Sequence, residues 1–292
     1  MFDMSEPLNV KDPADIFEFT YGDKVYRMWL PVKNETLQLI ITHNRTFYEL
    51  DLLERLKSIL FSVSPSPLGA VILDVGANIG NHTVFFAKEI GLPVFAFEPV
   101  PLVYDILQEN IDLNGIRDRV TAFKAGVGAV SGAATIMLSS PQNLGGTTLR
   151  MAEEYTDDAM PIVTLDEMVG DKRVALLKID VEGMEFDVLR GAYRLLSTQA
   201  PVLCIESRDL RHFAQVSSVL RPLGYVPVSI LGEVPTAIFV SIDKSKDALE
   251  QISYELAAGH IKEFQEVMRL KSIRRRLERE VKEMRAAVAS SK

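Results

Sequence analysis

The chain is poor in the residues that build cross-links and metal centres, with one cysteine and four histidines in 292 residues. Cys204 has no partner within the chain, which excludes a disulfide framework and a cysteine-rich metal site. Standing in an apolar run, it reads as a small buried hydrophobe. Basic residues are also short: 32 Lys and Arg against 40 Asp and Glu leave a net charge of −8, which argues against a general nucleic-acid binder. No uncharged apolar stretch approaches the roughly 18 residues of a membrane helix, and residues 1–12 lack the apolar segment of a signal peptide. These absences lead to the expectation of a soluble, cytoplasmic protein without a transmembrane segment. Apolar residues are plentiful at 47 %, enough for a large core in one big domain with appendages or in two small ones.

Residues 71–83 read Val-Ile-Leu-Asp-Val-Gly-Ala-Asn-Ile-Gly-Asn-His-Thr. An apolar run of strand length stops at small and polar residues, and apolar residues then resume at helical spacing from Ile79 to Ala87: a strand, a tight turn and a helix. Gly76 and Gly80 permit positive φ and the close approach of a ligand, while Asp74 sits where a parallel strand ends. A dinucleotide site wants Gly-x-Gly-x-x-Gly, with bare amides facing a pyrophosphate. Here Asn78 and Asn81 hold the second and third glycine places, which speaks against a nicotinamide-dependent oxidoreductase. A ligand without phosphate, bearing an amino-acid part and a ribose, suits these residues better, and S-adenosylmethionine is such a ligand. A second strand, 94–97, runs into Glu98, which follows Gly76 by 22 residues, the distance at which an acidic side chain meets ribose hydroxyls.

Ahead of this unit, 17–20, 24–30 and 36–42 read as short strands and 47–61 as an amphipathic helix, together an N-terminal β-rich cap. Beyond it strands and helices alternate. A helix over 101–114 precedes a third strand at 119–123, which ends near Ala125 and Gly126; small residues there either leave room for an adenine ring or make an ordinary turn. An extra strand at 133–138 leads into a long polar stretch, 139–161, which reads as a lid or acceptor-binding segment or else as a surface loop. Next comes an apolar strand from 174 in which alternation places Lys178 and Asp180 on one side, with Asp180 at the carboxyl end. A helix over 185–196 and a strand over 201–206 bring Glu206 to the neighbouring carboxyl end. After a helix at 209–220, strands at 225–231 and 236–242 form a hairpin. Seven strands in this order, the last reversed, give the doubly wound, Rossmann-like layout of a class I methyltransferase.

At this point the chain resembles the FkbM family of S-adenosylmethionine-dependent methyltransferases. The resemblance is carried by Phe47-Tyr48-Glu49, by residues 74–83, by Phe97-Glu98-Pro99, by Gly145-Gly146-Thr147, and by 177–185 with Gly191-Ala192 after it. It implies an S-adenosylmethionine donor and O-methylation of a hydroxyl on a sugar, glycan or secondary metabolite. It also implies cofactor contacts at Asp74, Gly76, Asn78, Gly80 and Glu98, with Asn81 and Thr83 nearby, and an acceptor side holding Asp180, with Lys178 and Glu182 beside it. A hydroxyl must lose its proton as it is methylated, and Asp180 first, then Glu206, is the natural base. His82 is a rival base, because its ordinary pKa suits neutral pH. A third arrangement has Asp180, Glu182 and Glu206 hold a Mg2+ ion; without a histidine among them, Zn2+ does not fit.

The tail, 244–292, has no proline. Val267, Leu270, Leu277, Val281, Met284 and Val288 fall at spacings of three and four, with Arg274 in one core place. A coiled coil and a homo-oligomer follow as expectations. The domains expected are therefore 1–68 for the cap, 69–243 for the cofactor-binding unit and 244–292 for the helical tail. The alternative to an enzyme is an interaction module that keeps cofactor affinity and recruits partners through its basic tail.

Overall fold

The computed structural model describes residues 12–64, 66–137, 148–151, 159–232 and 234–246, with positions 248, 249, 252, 269 and 271 beyond them. The first elements are β1 (Ile16–Tyr21) and β2 (Lys24–Trp29), an antiparallel hairpin with Phe19 opposite Tyr26. Its buried face supplies Phe19 and Tyr26 to an aromatic cluster around Phe47, at ring distances of 5.0 and 4.7 Å, and Phe85 closes the cluster at 5.4 Å.

The third expected strand is instead α1 (Thr36–Asn44). The β-branched residues of 36–42 suggest a strand, but Glu35 decides otherwise: its carboxylate accepts from the backbone N–H groups of Leu37 (3.2 Å) and Gln38 (2.9 Å) and caps a helix. Gln38 and Ile41, three apart, are the buried residues of that helix. The segment ahead of the main sheet is thus a hairpin followed by two helices, the second being α2 (Leu50–Val63), rather than a β-rich cap.

From there β3 (Ala70–Val75) leads to the short α3 (Asn81–Phe85), which continues as a π-helical turn over Phe86–Ile90. Next come β4 (Val94–Phe97), α4 (Pro101–Leu113) and β5 (Val120–Phe123). The chain then builds β6 (Gly126–Val127), β7 (Gly132–Met137), β8 (Thr148–Met151) and β9 (Met160–Val163), a small separate sheet in the order β6-β9-β7-β8. Part of the long polar stretch is therefore strand. Residues 139–147 and 152–158, including Gly145-Gly146-Thr147, lie outside the described residues.

The second half runs α5 (Leu165–Val169), β10 (Arg173–Ile179), α6 (Glu185–Gly191), α7 (Tyr193–Gln199), β11 (Val202–Glu206), α8 (Leu210–Leu220), β12 (Tyr225–Leu231) and β13 (Thr236–Ser241). The helix expected over 185–196 is broken in two because the Asp166 carboxylate accepts from the N–H groups of Arg194 and Leu195, both at 2.8 Å, and gives α7 a start of its own. The main sheet has the order β12-β13-β11-β10-β3-β4-β5, parallel except where β13 pairs antiparallel with β11 and β12. Its core packs Leu73, Val75, Leu177, Ile179, Leu203 and Ile205 against Val188, Leu189 and Leu196 of the helices.

Contacts divide the chain at Lys246 into two units. The heptad positions read in the tail lie outside the described residues. Among the described residues no helix is long and apolar enough to cross a membrane.

Candidate active site

The chain moves from β3 outward to β4 and β5, then returns to place β10 on the other side of β3. That reversal opens a crevice at the carboxyl ends of β3 and β10, the place where open α/β sheets bind ligands. A cavity of about 400 Å³ fills it, within the range of small-molecule sites.

Its floor is a contact between two turns. Gly76 has φ +74°, and a Cβ there would stand 1.8 Å from the carbonyl oxygen of Asp180. Only glycine lets the β3 turn close against the end of β10. The turn then spends its own donors. Gly76 N and Ala77 N both bond Phe97 O at 3.0 Å, Asn78 N bonds Glu98 Oε2 at 3.0 Å, Ile79 N bonds Asn78 Oδ1 at 2.7 Å, and Gly80 N bonds Ala77 O at 2.9 Å. The backbone donors of 76–80 are thus all engaged within the protein, and the turn offers no nest for a pyrophosphate. This is the physical content of the asparagines in the glycine places.

Glu98 is 6 % exposed and lines the cavity. Its two oxygens accept from Val100 N (2.9 Å) and Asn78 N (3.0 Å), which fixes the carboxylate while leaving each oxygen a further lone pair. Burial pushes its pKa up to about 7, against the pull of those two backbone bonds. Gly76 and Asn78 line the same cavity, as do Ala125 and Gly126. Gly80 does not; at φ +88° it makes room for Leu107, whose Cδ1 would lie 2.7 Å from an added Cβ.

Three residues expected beside the cofactor have other partners. Asp74 is fully buried behind the turn, accepting from Thr83 Oγ1 at 2.5 Å and standing 3.3 Å from Lys178 Nζ. Thr83 is therefore tied to Asp74, away from the cavity. Asn81 clasps the Tyr48 backbone from both ends of its amide, accepting from Tyr48 N (3.0 Å) and donating to Tyr48 O (3.1 Å). Its effect on the cavity is indirect, because it sets the 47–49 segment from which Tyr48 and Glu49 line the wall.

On the acceptor side, Asp180, Glu182 and Glu206 line the cavity together. Lys178 does not: it is 5 % exposed, donates to Gly76 O at 2.7 Å and stands 3.4 Å from Asp180 Oδ2. Burial works against its charge, but Asp74 and Asp180 outweigh that and raise its pKa. Lys178 therefore meets the cavity only through its contact with Asp180. The Asp180 side chain faces the cavity at 40 % exposure. Burial raises its pKa, but Lys178 and a hydrogen bond with Glu206 prevail, and it lies below its ordinary value. Glu206 moves the other way. Burial and the neighbouring Asp180 push it up to about 9, so at neutral pH the two carboxyls share one proton, held on Glu206.

His82, the rival base, does not line the cavity. Burial, aided by Lys178, lowers its pKa to about 4, so its ring is neutral and packs beside Tyr48 and Phe86. Among the described residues no group of three His, Cys, Asp or Glu has the geometry of a metal site.

The strand order and the crevice at its turning point define a Rossmann-like protein with a cavity at the carboxyl edge of its sheet. The family is more specific. Residues 74–227 match the methyltransferase FkbM domain, and the chain belongs to that family. Methyltransferase 1 of Beauveria bassiana is 28 % identical over 193 residues, covering 56 % of this chain and 76 % of the relative. Hexuronic acid methyltransferase AglP of Haloferax volcanii is 35 % identical over 134 residues, covering 44 % of this chain and 52 % of the relative. This chain thus spans about half of that archaeal enzyme. Among solved structures, an FkbM methyltransferase from Methylobacillus flagellatus is 16 % identical with a TM-score of 0.44, covering 69 % of this chain and 60 % of the other.

Proposed function

We propose that the chain is an S-adenosylmethionine-dependent O-methyltransferase acting on a hydroxyl of a sugar, glycan or secondary metabolite, with Asp180 as the proton acceptor. The observation that carries this is the pairing, across one cavity, of a backbone-fixed Glu98 with a proton-sharing Asp180 and Glu206. Glu98 would take the two ribose hydroxyls on its remaining lone pairs, and the small Ala125 and Gly126 leave space for the base. The engaged amides of 76–80 suit a donor without pyrophosphate. When bound, S-adenosylmethionine supplies a methyl group on a sulfonium; the S–C electron pair stays on sulfur as the O–C bond forms.

The residues of this chain align the acceptor oxygen, exclude water and take the proton. Asp180 accepts one hydrogen bond from Glu206 and presents its exposed face to the acceptor hydroxyl. A pKa below the usual carboxylate range does not disable it: an oxygen that is gaining a methyl group becomes strongly acidic, so the proton moves downhill to any well-placed carboxylate. Lys178 holds Asp180 in place and does not touch the acceptor.

A thermal-shift comparison tests the donor. S-adenosylmethionine should raise the melting temperature and NAD+ should not; stabilisation by NAD+ alone would overturn the assignment. The shared proton gives a second test. Below pH ~9 Glu206 keeps its proton and donates to Asp180; above it, that bond is lost and a second negative charge appears. Turnover should fall as pH rises through about 9, and Glu206→Gln, whose amide donates at every pH, should lose this alkaline limb in a pH–rate profile. A limb unchanged in the variant would remove Glu206 from the proton-sharing pair.

A further inference from the structure

The segments that follow β10 and β11 are tied to each other by groups outside the cavity. The turn after β10 presents Asp180, Val181, Glu182 and Met184 to the cavity, and β11 ends on Glu206, which lines it too. Glu185, the first residue of α6, is fully buried and does not line the cavity. Its Oε1 accepts from Gly183 N at 3.0 Å, within the turn after β10. Its Oε2 stands 3.0 Å from Nε2 of His212 in α8, and no hydrogen bond from any other group reaches it among the described residues. His212 is in turn fixed to the segment after β11: its N–H donates at 2.7 Å to Oδ1 of Asp209, the residue that caps α8.

Arg208 makes the same crossing. Its Nη1 stands 3.5 Å from Glu182 Oε2, and a Cβ on Gly183 would lie 2.7 Å from its Nη2, so the guanidinium rests against the turn after β10. That pair is partly exposed and screened by solvent. The contact of Glu185 with His212 is shielded, the two side chains being 0 % and 15 % exposed. Burying a carboxylate is costly, and well-packed apolar residues would join two helices as well or better. Packing of α6 on α8 therefore does not call for these two residues, whereas a fixed direction does. An apolar contact lets its partners slide; a carboxylate with one oxygen on the turn backbone and the other against an imidazole holds both segments at one spacing.

We infer that Glu185 and His212 are positioning residues for the proposed methyl transfer: they hold the segments after β10 and β11 at the spacing that lets the carboxyls of Asp180 and Glu206 hydrogen-bond to each other. Neither residue lines the cavity, so both act through the backbone that carries that pair. Asp180, Glu182 and Glu185 are the charged groups that face Glu206, all of them acidic, and of these Asp180 alone bonds it. Glu98, at the other end of the cavity, is fixed by Asn78 N and Val100 N and does not depend on this contact. The inference rests on the functional reading above and concerns its acceptor half.

The test is His212→Leu in the full chain, which removes the imidazole and still fills the space between the helices. Turnover should fall about tenfold to a hundredfold, the cost of displacing a reacting group by up to roughly an ångström, while affinity for S-adenosylhomocysteine stays unchanged. The alkaline limb of the pH–rate profile, expected near pH 9, should move to lower pH because Glu206 no longer bonds Asp180. His212→Gln, whose amide can donate to Glu185 Oε2, should restore both turnover and limb. If the leucine variant does not fold, His212→Asn, whose amide falls short of Oε2, makes the same comparison. A lowered melting temperature with turnover and limb kept would make the pair a packing contact and overturn the inference. So would a limb that stays in place in a variant that has lost turnover, or a glutamine variant no better than leucine. Wild-type protein that binds no S-adenosylhomocysteine would instead overturn the donor assignment, and the inference with it.

Discussion

Replacing Asp180 by asparagine should lower turnover by about two to four orders of magnitude, the range over which a positioned general base contributes. The fold should survive, because Lys178 keeps Asp74 and the carbonyl oxygen of Gly76 as partners when the charge at 180 is removed. Affinity for S-adenosylhomocysteine, whose sulfur is an uncharged thioether, should therefore stay within about threefold of wild type, since no attraction between Asp180 and a sulfonium is lost. An amide cannot take the hydroxyl proton, so the loss should fall on kcat. Rates measured with the acceptor that the wild type methylates, together with titration of the product, separate the two effects. Turnover equal to wild type would take Asp180 out of the chemistry.

The largest stability effect is expected at Gly76. Alanine there must adopt a left-handed backbone and bring its Cβ to 1.8 Å from the Asp180 carbonyl oxygen, so one of the two turns has to move. A cost of about 2–5 kcal/mol follows from the two penalties together. Gly91→Ala provides the control. Its φ is +80°, yet nothing lies within 4 Å of the added Cβ, so it should lose only the left-handed term, about 1–2 kcal/mol. Chemical denaturation of both variants reads the difference. Equal losses would mean that the contact between the β3 turn and the end of β10 does not hold the site together.

The doubly wound sheet was legible because its strands are apolar runs bounded by turn residues, and the two strand ends that matter are marked by Gly76 and by Asp180. The hairpin of β12 and β13 was legible for the same reason. Less visible was anything decided by a single polar contact. Glu35 turns 36–42 from an apparent strand into a helix, and Asp166 divides the helix after β10. Neither residue announces its partner in the sequence.

Within the site, residues near the turn were distinguishable by type but not by direction. Asn78 and Glu98 face the cavity, whereas Asn81 and Thr83, a few positions on, point into the protein toward Tyr48 and Asp74. The helix that begins at Asn81 rotates successive side chains by about 100°, so neighbours in sequence part company in space. Lys178 was placed correctly on the side of Asp180, but pairing with Asp74 draws it beneath the cavity floor. In the sequence Glu49 stands out only as part of a motif. Its role in the wall depends on the clasp between Asn81 and Tyr48 across 33 residues, a contact that periodicity cannot reveal.

A crystal structure of the chain with S-adenosylhomocysteine bound tests the central claim most directly. The ribose hydroxyls should lie within hydrogen-bonding distance of Glu98, with the sulfur turned toward the cavity face of Asp180. A ribose bound away from Glu98, or a sulfur facing away from Asp180, would contradict the account.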